Sequence, residues 1–191
     1  MHYTLCDMFS DLTQNAIEAG SSIITVEMIM TDTTISVSIR DNGKGMTGEQ
    51  LARATDPFYT DGIKHPGRKV GLGIPFLIQT AETTGGSWNI RSDKGNGADI
   101  PSGTAVDCSF DLTNIDTPPV GDVAGYFRHI LSFDGRYELI ISGTFPGTSF
   151  TVKRSEVLDA LGLAEQGSFT DAGSLKLLGM YLESLLEAYY G

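Results

Sequence analysis

The sequence predicts an α/β (α+β) two-layer sandwich, in which a mixed, largely antiparallel sheet carries helices over one face. Three observations lead there. Two pairs of short stretches alternate apolar and polar residues, at 23–30 with 35–41 and at 87–92 with 104–112. Such alternation is the mark of half-buried strands. A helix-period segment precedes each pair, at 4–19 and at 71–86. The chain of 191 residues is 40% hydrophobic, enough for one good core or for a main domain with a small annex.

In the first segment, Leu5, Phe9, Leu12, Ala16 and Ala19 form one apolar stripe. At about 100° per residue, Asp11, Asn15 and Glu18 gather along one edge of it. A helix lying on a sheet can bury the stripe and turn that polar edge toward a cleft. Gly20 ends the helix.

The stretch 23–30 alternates Val26, Met28 and Met30 against Thr25, Glu27 and Ile29. After the turn at 31–34, Ile35, Val37 and Ile39 alternate against Ser36, Ser38 and Arg40, so the two read as a hairpin. Extending the second series by two places Asp41 on the apolar side as the strand ends. Either the carboxylate is turned inward and needs a partner, or the strand has stopped and Asp41 begins an Asx turn. Asn42-Gly43 and Gly45 then mark a tight loop.

Thr47 is placed to cap a short helix at 48–54, and the chain turns at Pro57. Residues 61–70 hold glycines, a proline and the cationic candidates Lys64, His65, Arg68 and Lys69, and read as a loop. Residues 71–86 read as a glycine-rich entry into a helix, where Pro75 fits only near the start. Trp88 and Ile90 mark one further strand; Thr104, Val106, Cys108, Phe110 and Leu112 mark its expected partner.

A composition break follows at 116–122. Beyond it, 123–133 reads as a helix, 137–143 and 149–153 as strands around a Pro-Gly turn, 155–162 as a short helix capped by Ser155, and 173–190 as a last amphipathic helix. We expect an N-terminal domain over 1–115 and a small C-terminal α/β annex over 120–191, a candidate partner-binding module.

Composition narrows the function. A formal net charge of −11, from 24 acidic and 13 basic residues, suits neither nucleic acid nor an anionic membrane. Cys6 and Cys108 make no disulfide framework and suggest reduced, buried thiols in a cytoplasmic protein. No apolar run approaches a membrane span, and residues 1–11 do not read as a signal peptide. The G-x-G-x-x-G dinucleotide fingerprint and the G-x-x-x-x-G-K-[ST] phosphate loop are both absent.

Several weak signals occur in one order. Asp11 and Asn15 stand as D-x-x-x-N, and Asp41, Gly43 and Gly45 as D-x-G-x-G. DPFYT follows at 56–60, Gly71 and Gly73 stand as G-x-G, and Gly103-Thr104 comes late. Over residues 4–112 this order resembles the Bergerat-type ATP-binding fold shared by sensor histidine kinases, type II topoisomerases such as DNA gyrase, Hsp90 chaperones and MutL proteins. DNGKGM, DPFYT and the stretch from Gly71 to Gly97 look most like the kinase-related branch.

The resemblance implies ATP and Mg²⁺ as ligands. Asp41 would accept a hydrogen bond from the adenine amino group. Gly43 and Gly45 would let the backbone approach the nucleotide, with Met46 beside them, and Thr104 would support the adenine. Asn15 would hold Mg²⁺. Gly71, Leu72 and Gly73 would open a helix toward the phosphates. Residues 59–70 would form an ATP lid, with Lys64, Arg68 and Lys69 as cationic clamps. Asp11 stands where ATP-hydrolysing relatives carry glutamate and sensor kinases often carry an amide. It could act as a general base, orient a water or a protein hydroxyl, or be a solvated helix residue.

The departures are as informative. Only ten residues precede Asp11, and His2, His65 and His129 lie in no histidine-acid pair of an acceptor helix. A strand usual before the first helix is missing, so that sheet edge is either shortened or completed by the C-terminal segment or by another subunit. The whole layout, with its PPVGD linker at 118–122, resembles small stand-alone bacterial ATP-binding proteins associated with iron hydrogenase systems. The expected function is therefore a Mg²⁺-dependent ATPase or a protein kinase acting on a partner or phosphoacceptor protein in signal transduction. The alternative is a nucleotide-responsive adaptor with little turnover. A homodimer is open.

Overall fold

The computed structural model describes residues 3–56, 73–96, 101–165, 167–169 and 171–190. The expected Pro57 turn, residues 57–60 of the DPFYT segment, the lid and the phosphate-side residues Lys64, Arg68, Lys69, Gly71 and Leu72 lie outside the described residues, as do His2 and His65.

Helix α1 (Leu5–Glu18) opens the described chain, with Thr4 and Asp7 forming a reciprocal capping box. The hairpin β1 (Ile23–Met30) and β2 (Thr34–Asp41) follows, paired antiparallel with Val26 opposite Ile39. Helix α2 (Gly48–Thr55) starts at a second capping box, Thr47 with Gln50. Helix α3 (Gly73–Thr84) leads into β3 (Ser87–Asp93) and β4 (Gly103–Asp111). Helix α4 (Val123–Ser132), capped by Asp122, then leads to β5 (Glu138–Phe145) and β6 (Thr148–Lys153). Helices α5 (Arg154–Ala160), α6 (Ala172–Leu185) and α7 (Glu187–Tyr190) complete the order.

The six strands form one sheet in the order β3-β4-β2-β1-β5-β6. Pairing is antiparallel except between β1 and β5, where Val26 stands opposite Ile141 in a parallel ladder. This is the mixed, largely antiparallel sheet the sequence predicts, with helices on one face. The edge of β1 left open by the sequence is completed by the C-terminal segment. Residues 120–191 thus supply two strands of the same sheet, and one cluster of buried apolar residues includes Phe9 and Val106 as well as Phe127, Leu139 and Leu182.

Alternation decides which strand face is buried. Ile24, Val26, Met28, Ile35, Val37 and Ile39 are buried under the helices, whereas Glu27, Ile29 and Arg40 on the other face are exposed. Aromatic rings join the two parts of the chain: Phe9 of α1 packs against Phe110 of β4 and Tyr126 of α4, and Phe127 against Phe145 and Phe150. At the α1–α4 contact, the buried hydroxyls of Thr13 and Tyr126 lie 3.1 Å apart, so both polar groups are satisfied inside the core. The α1 apolar face is accordingly wider than the predicted stripe, adding Cys6, Met8 and Thr13. Cys6 and Cys108 are buried free thiols, each pushed up to about 12 mainly by burial.

Two local expectations need correction. Ser155 does not cap the short helix: α5 begins one residue earlier, its N-cap is Lys153, and the Lys153 side chain pairs with Glu156 rather than capping a backbone N–H. Glu138 of β5 serves instead, accepting from the Ser155 N–H at 3.2 Å. The last helix is not continuous from 173 to 190 but breaks at Leu186, which is fully buried. The break returns Tyr189 to the core, with its ring 5.2 Å from that of Phe145. Among the described residues no helix is long and apolar enough to cross a membrane.

Candidate nucleotide site

Asp41 is the last residue of β2 and pairs with Ile24 on one side and Thr104 on the other. Its phase keeps it on the helix-covered face, where it is half-buried. Oδ1 accepts from the Gly43 N–H at 2.8 Å and lies 3.0 Å from the Ser21 hydroxyl. Both sequence readings of Asp41 therefore hold together: it is an inward-facing strand residue and the start of an Asx turn. Among the described residues none donates to Oδ2.

The loop after Asp41 is fastened on every side. Asn42 Oδ1 accepts from the N–H groups of Ser22 and Ile23, and its amide donates to the Ser22 hydroxyl. The Lys44 N–H donates to Ala19 C=O at the end of α1, and the Met46 N–H donates to the Ser92 hydroxyl. Ser92 Oγ also lies 2.8 Å from Thr104 Oγ1, joining the loop to β3 and β4.

The glycines permit these approaches. A Cβ at Gly43 would sit 2.5 Å from Ser21 Oγ and 2.9 Å from Asp41 Oδ1. Gly45 has φ +59°, and a Cβ there would lie 1.7 Å from the Asp93 carbonyl oxygen. In this chain the contacts that forbid a side chain are thus to the side chains of Ser21, Ala19 and Asp41 at Gly43 and to the Asp93 backbone at Gly45. Gly45→Ala is expected to cost about 2–3 kcal/mol or to force the loop away from Asp93. Urea unfolding and the intrinsic fluorescence of Trp88 on β3 would register either, and wild-type values for both would contradict this account of Gly45.

Between α1, the loop and the sheet lies a cavity of about 290 Å³. Leu12, Ala16, Ile39, Met46, Ile74 and Val106 make it mainly apolar; Asn15, Asp41 and Thr104 are the polar groups converging on it. Glu18 and Lys44 also line it, and Gln14 holds the Glu18 carboxylate at 2.8 Å. A second, smaller concavity of about 140 Å³ lies between β6, α5 and α6, lined by Val152, Val157, Leu161 and Tyr181. Lys153 and Glu156 also line it and pair with each other at 2.9 Å.

The structure thus brings together Asn15, Asp41, Gly45, Met46 and Thr104, with Gly43 behind Asp41 and Gly73 starting α3. Asp11 is one turn from Asn15 but is not among the lining residues; its Oδ2 accepts from the Tyr3 hydroxyl at 2.7 Å. Sequence reasoning missed Ser21, Tyr3, Lys44, Ile74 and Ser92. Lys44 alone carried a signal, as the cation inside the glycine loop.

The residues fit an adenine nucleotide. An apolar slot accepts a flat base, and a carboxylate with one oxygen anchored and the other without a donor among the described residues can accept from its amino group. An amide oxygen on the α1 wall, from Asn15, suits a Mg²⁺ ion that otherwise keeps waters and phosphates.

This fold and this site define the class. Residues 3–114 match the family described as "Histidine kinase-, DNA gyrase B-, and HSP90-like ATPase", and the chain belongs to that family. It is similar to sporulation kinase C of Bacillus subtilis (strain 168), at 30% identity over 96 residues, covering 49% of this chain and 22% of that kinase. It is also similar to sporulation kinase E of the same organism, at 31% over 97 residues, covering 49% and 12%. The matched stretches therefore span under a quarter of these kinases. Among solved structures, the chain is similar to the Aquifex aeolicus MutL ATPase domain complexed with ADP, at 15% identity and a TM-score of 0.44, covering 88% of this chain and 70% of that one.

Proposed function

We propose that this chain binds ATP with Mg²⁺ in the α1–sheet cavity and passes the γ-phosphoryl group to water or to a partner protein. The observation that carries the reading is Asp41, half-buried beside a mainly apolar cavity, with one oxygen held by Ser21 and Gly43 and the other meeting no donor among the described residues. In this reading Thr104 supports the adenine, Asn15 holds the metal, and Gly71, Leu72 and Gly73 lead α3 toward the phosphates. Lys64, Arg68 and Lys69 would neutralise phosphate charge, and Asp11 would take the proton of the attacking group. Bound Mg²⁺ would supply charge neutralisation on the phosphates.

Titration with ATP and with ADP, with and without Mg²⁺, tests the core of the reading. Saturable binding is expected, and its absence in the wild-type chain would sink the proposal. A phosphotransfer assay with labelled ATP then separates transfer to protein from release of phosphate.

One observation favours a second reading, a nucleotide-responsive adaptor. Helix α1 lines the cavity with Asn15 and, through Thr13, meets Tyr126 of α4 in the C-terminal segment. A helix shared in this way can report nucleotide to a partner surface on residues 120–191. Tight Mg-ATP binding without turnover would select this reading. The narrower likeness to stand-alone ATP-binding proteins of iron hydrogenase systems rests on the motif order and the PPVGD linker. It too points to a protein partner.

A further inference from the structure

Asp11 does not stand alone on its helix edge. The Tyr3 hydroxyl donates to its Oδ2 at 2.7 Å, in a part-buried position ahead of α1. The Tyr3 ring stands edge-on to Phe76 of α3, with centroids 4.5 Å apart at 73°. Burial first, and then the bond to Asp11, push the Tyr3 phenol well above its ordinary range, so it remains a proton donor. The seam is closed from the other side as well: a Cβ on Gly73 would lie 3.2 Å from Asp11 Cβ. The carboxylate therefore sits in the α1–α3 seam beside the first described turn of α3, with one oxygen occupied and its ring partner wedged against the opposite helix.

We propose that Tyr3 is a positioning residue for phosphoryl transfer, holding the short Asp11 carboxylate with Oδ1 toward the attacking group. This rests on the reading of Asp11 as the general base. In hydrolysis, the water oxygen bonds to the γ-phosphorus and its proton passes to Asp11 Oδ1. The bond from that phosphorus to the β–γ bridging oxygen breaks, leaving ADP and inorganic phosphate, and the proton returns to solvent. An aspartate carboxylate free to rotate spends less time in the one orientation that can accept this proton. A donor fixed by Phe76 removes that freedom without touching the nucleotide.

The test compares wild type, Tyr3→Phe, Asp11→Asn and the double variant, measuring Mg-ATP binding and steady-state ATP turnover on each. Phenylalanine keeps the ring against Phe76, so the fold is retained. Phe76→Leu gives an independent loosening of the same seat. Tyr3→Phe is expected to lower kcat about tenfold with KM for ATP unchanged, Phe76→Leu to lower it less, and Tyr3→Phe to add nothing in the Asp11→Asn background. A purely structural tyrosine would shift binding and turnover alike, or act equally in both backgrounds, and either result overturns the inference. So does ATP binding with no turnover, or a Tyr3→Phe variant with wild-type kcat; the ATP-binding reading survives both. Failure of the wild type to bind ATP removes the reading and the inference together.

Discussion

Asp41→Asn is expected to weaken ATP binding by about tenfold to a hundredfold while leaving the fold almost unchanged, within about 1 kcal/mol. The two side chains have the same shape, and an amide oxygen can still take the Gly43 N–H and the Ser21 hydroxyl that now meet Oδ1. The amide nitrogen then falls where Oδ2 stood. In the proposed complex, an acceptor facing the adenine amino group becomes a donor facing a donor, so attraction turns into mismatch. Guanine carries an acceptor at the corresponding ring position, so the proposed contact predicts that wild type prefers ATP over GTP and that the variant prefers it less. Calorimetric titration of both nucleotides against both proteins decides the matter. Equal ATP affinity in wild type and variant would show that Asp41 does not read the base.

Arg154→Met is expected to produce the largest loss of stability, about 3–5 kcal/mol. The Arg154 side chain is 3% exposed and its guanidinium is spent on carbonyls. Nε donates to Leu131 C=O at 3.0 Å, Nη2 to Gly167 at 2.9 Å and to Phe133 at 3.4 Å, and Nη1 to Tyr137 at 3.4 Å. Leu131 and Phe133 lie at the C-terminal end of α4, where unpaired carbonyls and the helix dipole favour a cation. The guanidinium carbon also lies 4.5 Å from the centre of the Tyr137 ring. Methionine fills similar volume but leaves these carbonyls with fewer donors or none. Lysine restores the charge without the fork and should recover only part of the loss. Urea unfolding of the three proteins measures this. A methionine variant as stable as wild type would mean that water replaces the guanidinium at no cost.

The strands were legible because a half-buried strand must alternate. Val26, Met28 and Met30, and then Ile35, Val37 and Ile39, show their buried face before any partner is known. The same arithmetic carried Asp41 to the inner face, and the Asn-Gly that follows announced the turn that anchors it. Thr47 was readable as a cap because capping is local. The candidate site was legible to the extent that Asn15, Asp41, Gly45, Met46 and Thr104 converge on one cavity.

Other features depend on residues far apart in the chain. Ser21 has no pattern around it that points to Asp41, twenty residues away. Tyr3 meets Asp11 only because α3 supplies a wall for its ring. Glu138 caps α5 across a strand pair, while local reasoning favoured Ser155. Leu186 interrupts a helix that propensity would continue, and the break coincides with the burial of Leu186 and the contact of the Tyr189 ring with Phe145.

Periodicity and short-range spacing therefore account for the element types and the buried faces, while the site residues were singled out by the resemblance of their motif order to a known family. Such signals are local: they follow from side-chain direction and from backbone groups a few residues apart. The parallel docking of β5 on β1, the burial of Arg154 among four carbonyls and the Tyr3–Asp11 bond were decided by packing. Each requires segments distant in sequence to meet, and their meeting depends on the free energy of the whole core, which no single stretch of residues records.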